Sequence, residues 1–174
     1  VGEQPTFNDT RLQGPEFERA LRGMRIVAAA LMMGVVCFLG VVLFTTQGKI
    51  GGIQKAEFMT IFGAGFAALM IVNHFVIPQM VTKRHLEVEK QAGLISLSEE
   101  EKTNKVIGIY RGQLIIGLAL LEGAAFLNLI CMMTDQSLAT LGVVAVLMGL
   151  MLMKSPTRDK VTFWVQDKLR ELQM

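Results

Sequence analysis

Four stretches of the chain are long, apolar and almost without charge: Ile26–Thr46, Phe58–Val81, Leu114–Met133 and Ser137–Met153. About 20 helical residues cover a hydrocarbon core of roughly 30 Å, so each is read as a membrane-spanning helix, the fourth at the short end. Asn73 and His74 stand out in the second stretch, and Glu122 is the one charge in the third. Ile26–Thr46 is too long for the hydrophobic region of a signal peptide. The fold expected is all-α: a four-transmembrane-helix bundle spanning 15–153, with a flexible N-terminal arm at 1–14 and an amphipathic helix at 155–174.

The pattern outside the apolar runs predicts helical extensions. Phe17, Ala20, Leu21 and Met24 recur at helical spacing after Pro15, so the first span begins before its apolar run. Ser98 followed by Glu99, Glu100 and Glu101 reads as a capping box, and the helix it opens continues through Tyr110 into the third span. The second span extends through Lys83–Lys90. Beyond Ser155-Pro156-Thr157, Val161, Trp164, Val165, Leu169 and Leu172 form a one-sided apolar stripe among charged residues. Such a helix lies on the membrane surface with Trp164 at headgroup level, packs against the extensions, or docks another protein.

Composition agrees: 52% of the residues are hydrophobic and 18% charged. Of the 17 lysines and arginines, only Lys49 and Lys55 fall between the first and second runs; the others lie in the N-terminal arm, the middle loop and the tail. The positive-inside rule then puts both termini and the middle loop in the cytoplasm. The opposite side is left with a loop near Gln47–Glu57 and a turn at Thr134–Ser137. A net charge of +2 gives no reason to expect nucleic acid. Cys37 and Cys131 both lie inside spans and are expected reduced.

Glu122 is the first candidate for chemistry, because a carboxylate inside a span is costly and normally faces other helices or a wet cavity. Counting inward from one surface puts His74, Asn73 and Glu122 at similar depth, which predicts a Glu–His or Glu–Asn hydrogen bond between the second and third spans. Pro78 frees the carbonyl of His74, four residues earlier, and adds an acceptor to that cluster. Ala119, Ala125 and Gly123 beside Glu122 admit a close helix neighbour. The cluster has three readings: a packing device, a proton or cation relay, or a site for a ligand amine or lipid headgroup. Two histidines, one of them (His85) outside the apolar runs, argue against a haem held within the chain. The twelve methionines are read as packing, and no cofactor or metal is expected. No nucleotide loop, metalloprotease motif, nucleophile elbow or paired catalytic carboxylate is present.

Arg111 and the run GLALLEGAAF (Gly117–Phe126) resemble the carboxylate helix of the rotary ATP synthase proteolipid, which implies an ion-carrying role for Glu122. The second span, with Gly63 and Gly65 only, departs from the alternating glycines of that family's partner helix. Residues 15–170, with ALLEGAAF and the tail SPTRDKVTFW, are similar to small bacterial four-span membrane proteins; this implies fold and membrane location and no activity. The sequence therefore points to a non-enzymatic integral membrane protein, an accessory or structural subunit of a larger assembly or a self-associating scaffold. Its alternative is a proton- or cation-translocating protein using Glu122 with His74. The expected partners are the lipid bilayer and other membrane subunits or further copies of the chain.

Overall fold

The computed structural model describes residues 14–47, 58–91, 93 and 97–173, and each regular element among them is a helix. In order these are α1 (Pro15–Thr45), α2 (Phe58–Gln91), α3 (Glu99–Asp135), α4 (Leu138–Met153) and α5 (Arg158–Gln173). The N-terminal arm expected at 1–14, apart from Gly14, and the loop bearing Lys49 and Lys55 lie outside the described residues.

Local chemistry sets the helix ends. α1 starts on Pro15, whose missing N–H costs nothing in a first turn, with Glu16 and Glu18 facing the positive end of the helix dipole. α3 opens on the expected capping box: Ser98 Oγ accepts from the Glu101 amide at 3.3 Å, and the Glu101 carboxylate accepts from the Ser98 amide at 3.1 Å. The hydroxyl and then the amide of Ser98 hold the Glu101 carboxyl below its ordinary value. α3 stops where Gln136 turns left-handed (φ 50°), and Ser137 then caps α4 through the Ala139 amide at 3.3 Å. Pro156 follows the end of α4, and α5 leaves at 66° to it.

Three helices, α1, α2 and α3, are long and apolar enough to cross a membrane; α4 and α5 taken as one bent unit would make four. α4 alone, at 16 residues, reaches only about 24 Å. α3 is the centre of the molecule, and α1, α2, α4 and α5 all pack against it. Half of its apolar window is buried, against 17% for α1 and 22% for α2. The outward faces of those two helices show Met33, Val41, Phe44, Ile61, Val72 and Phe75.

The core runs the full length of α3. Inside the apolar runs, Leu118, Leu121, Leu129 and Met132 meet Val35 and Val42 of α1 and Val144, Leu147 and Met151 of α4. At the α5 end, Phe17, Leu21 and Met24 of α1, Val106 of α3, and Val161 and Val165 of α5 continue it. For the part that a bilayer would surround, burying a leucine gains no hydrophobic free energy, so close packing and interhelical hydrogen bonds decide. For the part that water would surround, each fully buried side chain contributes roughly 1.5–3 kcal/mol.

The stripe on α5 faces protein. Val161 and Val165 are fully buried, Leu169 and Leu172 pack on the core, and Trp164 lies 5.1 Å from the Tyr110 ring. Trp164, for which a headgroup position was one expectation, is half-buried and shares this ring contact with α3. Arg25 Nε donates to the Pro156 carbonyl at 3.2 Å, and Arg158 pairs with Glu18 at 3.4 Å, which ties α5 to the first turns of α1. Lys105 and Glu89 join the extensions of α3 and α2.

Candidate functional site

The polar residues of the spans are divided between two faces of α3. On the α2 side, His74 Nδ1 meets the carbonyl of Gly117 at 2.8 Å. Gly117 is what admits the ring: a Cβ there would stand 3.2 Å from both Cε1 and Nδ1 of His74. On the α1 side lies Glu122, half-buried against Gly34, where a Cβ would stand 3.2 Å from its Oε1. The Phe126 ring closes the same notch and meets Phe38 of α1 edge-on at 5.3 Å.

The expected hydrogen bond between His74 and Glu122 is therefore not formed. Glu122 follows the residue opposite His74 by five positions, about 140° around α3 and roughly 7.5 Å along it. Counting from the ends of the apolar runs misjudged depth, because α2 and α3 both run on beyond them. Asn73, one residue before His74, is half-buried, and no hydrogen bond among the described residues joins it to either partner. Nor does any described residue donate to the Glu122 carboxylate.

Two polar contacts between α2 and α3 were not anticipated. Asn128, fully buried, donates from Nδ2 to the Gly63 carbonyl at 3.0 Å and to Ala124 at 2.9 Å. Asp135 Oδ2 accepts from the amide of Thr60 at 2.7 Å and from its hydroxyl at 2.9 Å. The last residue of α3 thereby satisfies an orphan amide in the first turn of α2, at the positive end of its dipole. The spacing carried a signal. Gly63 to His74 and Gly117 to Asn128 are both eleven residues, three helical turns, so one antiparallel register seats both polar side chains on glycines.

Toward the α5 end, the His74 contact opens into a cavity of about 70 Å³. His74, Phe75, Pro78 and Gln79 of α2 line it with Tyr110 and Gln113 of α3 and Lys154 after α4. Gln79 and Gln113 also border a groove of about 680 Å³ between α2 and α5, so the two spaces adjoin. Three buried polar atoms along them have no protein partner: His74 Nε2, Gln113 Oε1 and Thr82 Oγ1. His74 and Thr82 are 3% and 5% exposed. Lys154 Nζ sits 5.6 Å above the Phe75 ring, an attractive cation–π distance. Pro78 lacks the N–H that the His74 carbonyl would bond within the helix, which adds an acceptor nearby. Among the described residues, no three of His, Cys, Asp and Glu gather as a metal site.

Comparison with protein-family models, curated proteins and solved structures finds no match for this chain.

Proposed function

We propose that the chain is a non-enzymatic integral membrane protein, an accessory or structural subunit of a larger bacterial inner-membrane assembly, with four spans and both termini in the cytoplasm. The observation that carries this reading is the use of its intramembrane polar groups. His74, Asn128 and Asp135 each bond across the α2–α3 contact, and none of the three meets Glu122. Polar groups used in this way hold helices at one register, which suits a part that must present a fixed surface. The apolar outer faces of α1 and α2 supply that surface.

Native mass spectrometry of the protein, extracted gently from its own membrane, tests the reading. Foreign subunits in fixed ratio are the expected result. A monomer or homo-oligomer with no other chain would overturn it.

Glu122 favours a second reading, proton or cation translocation, because its carboxylate stands in the α1–α3 contact with no described donor. His74 would then be a separate station, about 7.5 Å nearer the α5 end. Glu122→Gln separates the two. A packing role tolerates the amide, and ion flux into vesicles stays absent or unchanged. A carrier role loses flux while the protein still folds.

A further inference from the structure

We propose that the cavity beside His74 binds a tetrahedral oxyanion, phosphate or sulfate in class, with Lys154 supplying charge and His74 taking up a proton from solvent as the anion enters. The inference goes beyond the subunit reading and does not depend on it.

Electrostatics comes first. Lys154 is the one charged residue in the lining, and no carboxylate accompanies it there. The groups facing His74 are Gln79 on its own helix, Tyr110 and Gln113 on α3, and Lys154 after α4. Beyond the two glutamines, in the outer groove, Lys83, Glu87 and Lys90 of α2 face Asp167, Lys168 and Glu171 of α5, three charges of each sign. The groove is therefore neutral in sum and the inner cavity is positive.

Hydrogen bonding comes next. The Gly117 carbonyl can only accept, so the ring proton sits on Nδ1. Nε2, buried and unpartnered, is then an acceptor in the neutral ring and a donor once the ring is protonated. An anion beside it favours the donor form. The Gln113 amide presents either its oxygen or its NH₂ group after a half-turn, and Tyr110 and Gln79 bring further donors. A space of about 70 Å³ suits a small tetrahedral anion and excludes a nucleotide or an aromatic cofactor. The adjoining groove gives a free anion a way in; Lys154, at the end of α4, equally suits the phosphate of a lipid headgroup.

The test is calorimetric titration of the full chain in maltoside micelles with sodium sulfate, whose charge is constant between about pH 6 and 8, where imidazoles ordinarily titrate. The expected result is affinity that rises as pH falls, by up to about tenfold per pH unit for one linked proton. Lys154→Gln, at an exposed position, should weaken binding about tenfold or more while the helical circular dichroism stays native. His74→Gln should remove the pH dependence. A headgroup source would show instead as retention of phosphatidylglycerol over phosphatidylcholine from nanodiscs, lost in Lys154→Gln, with no sulfate bound. Binding of neither probe, or binding indifferent to Lys154→Gln, overturns the proposal.

Discussion

A methyl group on Gly117 would press on the His74 ring at 3.2 Å, and one on Gly63 would reach to 2.8 Å from Asn128 Oδ1. Both rings of contact would have to open, and each polar side chain would lose its carbonyl. Gly117→Ala and Gly63→Ala should each destabilise by about 1–3 kcal/mol, from a strained contact and a buried group left unpaired. Gly65→Ala meets open space and should be neutral, or stabilising by up to about 1 kcal/mol through helix propensity. Reversible unfolding in mixed micelles measures all three, and equal effects at 65 and 117 would refute the close-approach account. At this scale the sequence was partly legible. Glu122 announces itself by charge, and its place in a helix contact follows from the cost of exposing it to lipid. Asn128 carries no charge to mark it in the sequence, although its burial is the more complete.

Helix ends were the most readable elements, because a cap is local. Pro15, Ser98 and their acidic neighbours declare a start within one turn of sequence. The register of α2 on α3 is not local, and depth estimates from the edges of apolar runs could not supply it. The eleven-residue spacing of glycine and polar partner on both helices could have. The Asp135 cap belongs to this non-local class, since its partner lies 75 residues away. Asp135→Ala should cost about 0.5–2 kcal/mol, the usual range for a lost N-cap, with Asp135→Asn between it and the native chain. Hydrogen exchange should localise the loss to the first turn of α2. Protection there unchanged in Asp135→Ala would mean that the carboxylate does not hold that turn.

The molecule as a whole is closed at one end by α5, whose amphipathic stripe was plain in the sequence while its docking face was not. Periodicity tells which side of a helix is apolar, and a membrane surface and a protein core satisfy that side equally. Val161 and Val165, both fully buried in the core, set that side against protein. Val165→Asp should therefore release α5 and let a protease cut near Ser155–Thr157, where the native chain resists. Arg158→Ala, which removes only an exposed ion pair, should change stability by no more than about 1 kcal/mol. Cleavage of Arg158→Ala and resistance of Val165→Asp would reverse the assignment. The Thr60–Asp135 contact also bears on how the protein is made. A ribosome that has completed α2 has released a helix whose opening amide finds its carboxylate only after the whole of α3 has been synthesised. The insertion machinery is thus given a reason to hold α2 until α3 arrives and to let the hairpin into the bilayer as a pair.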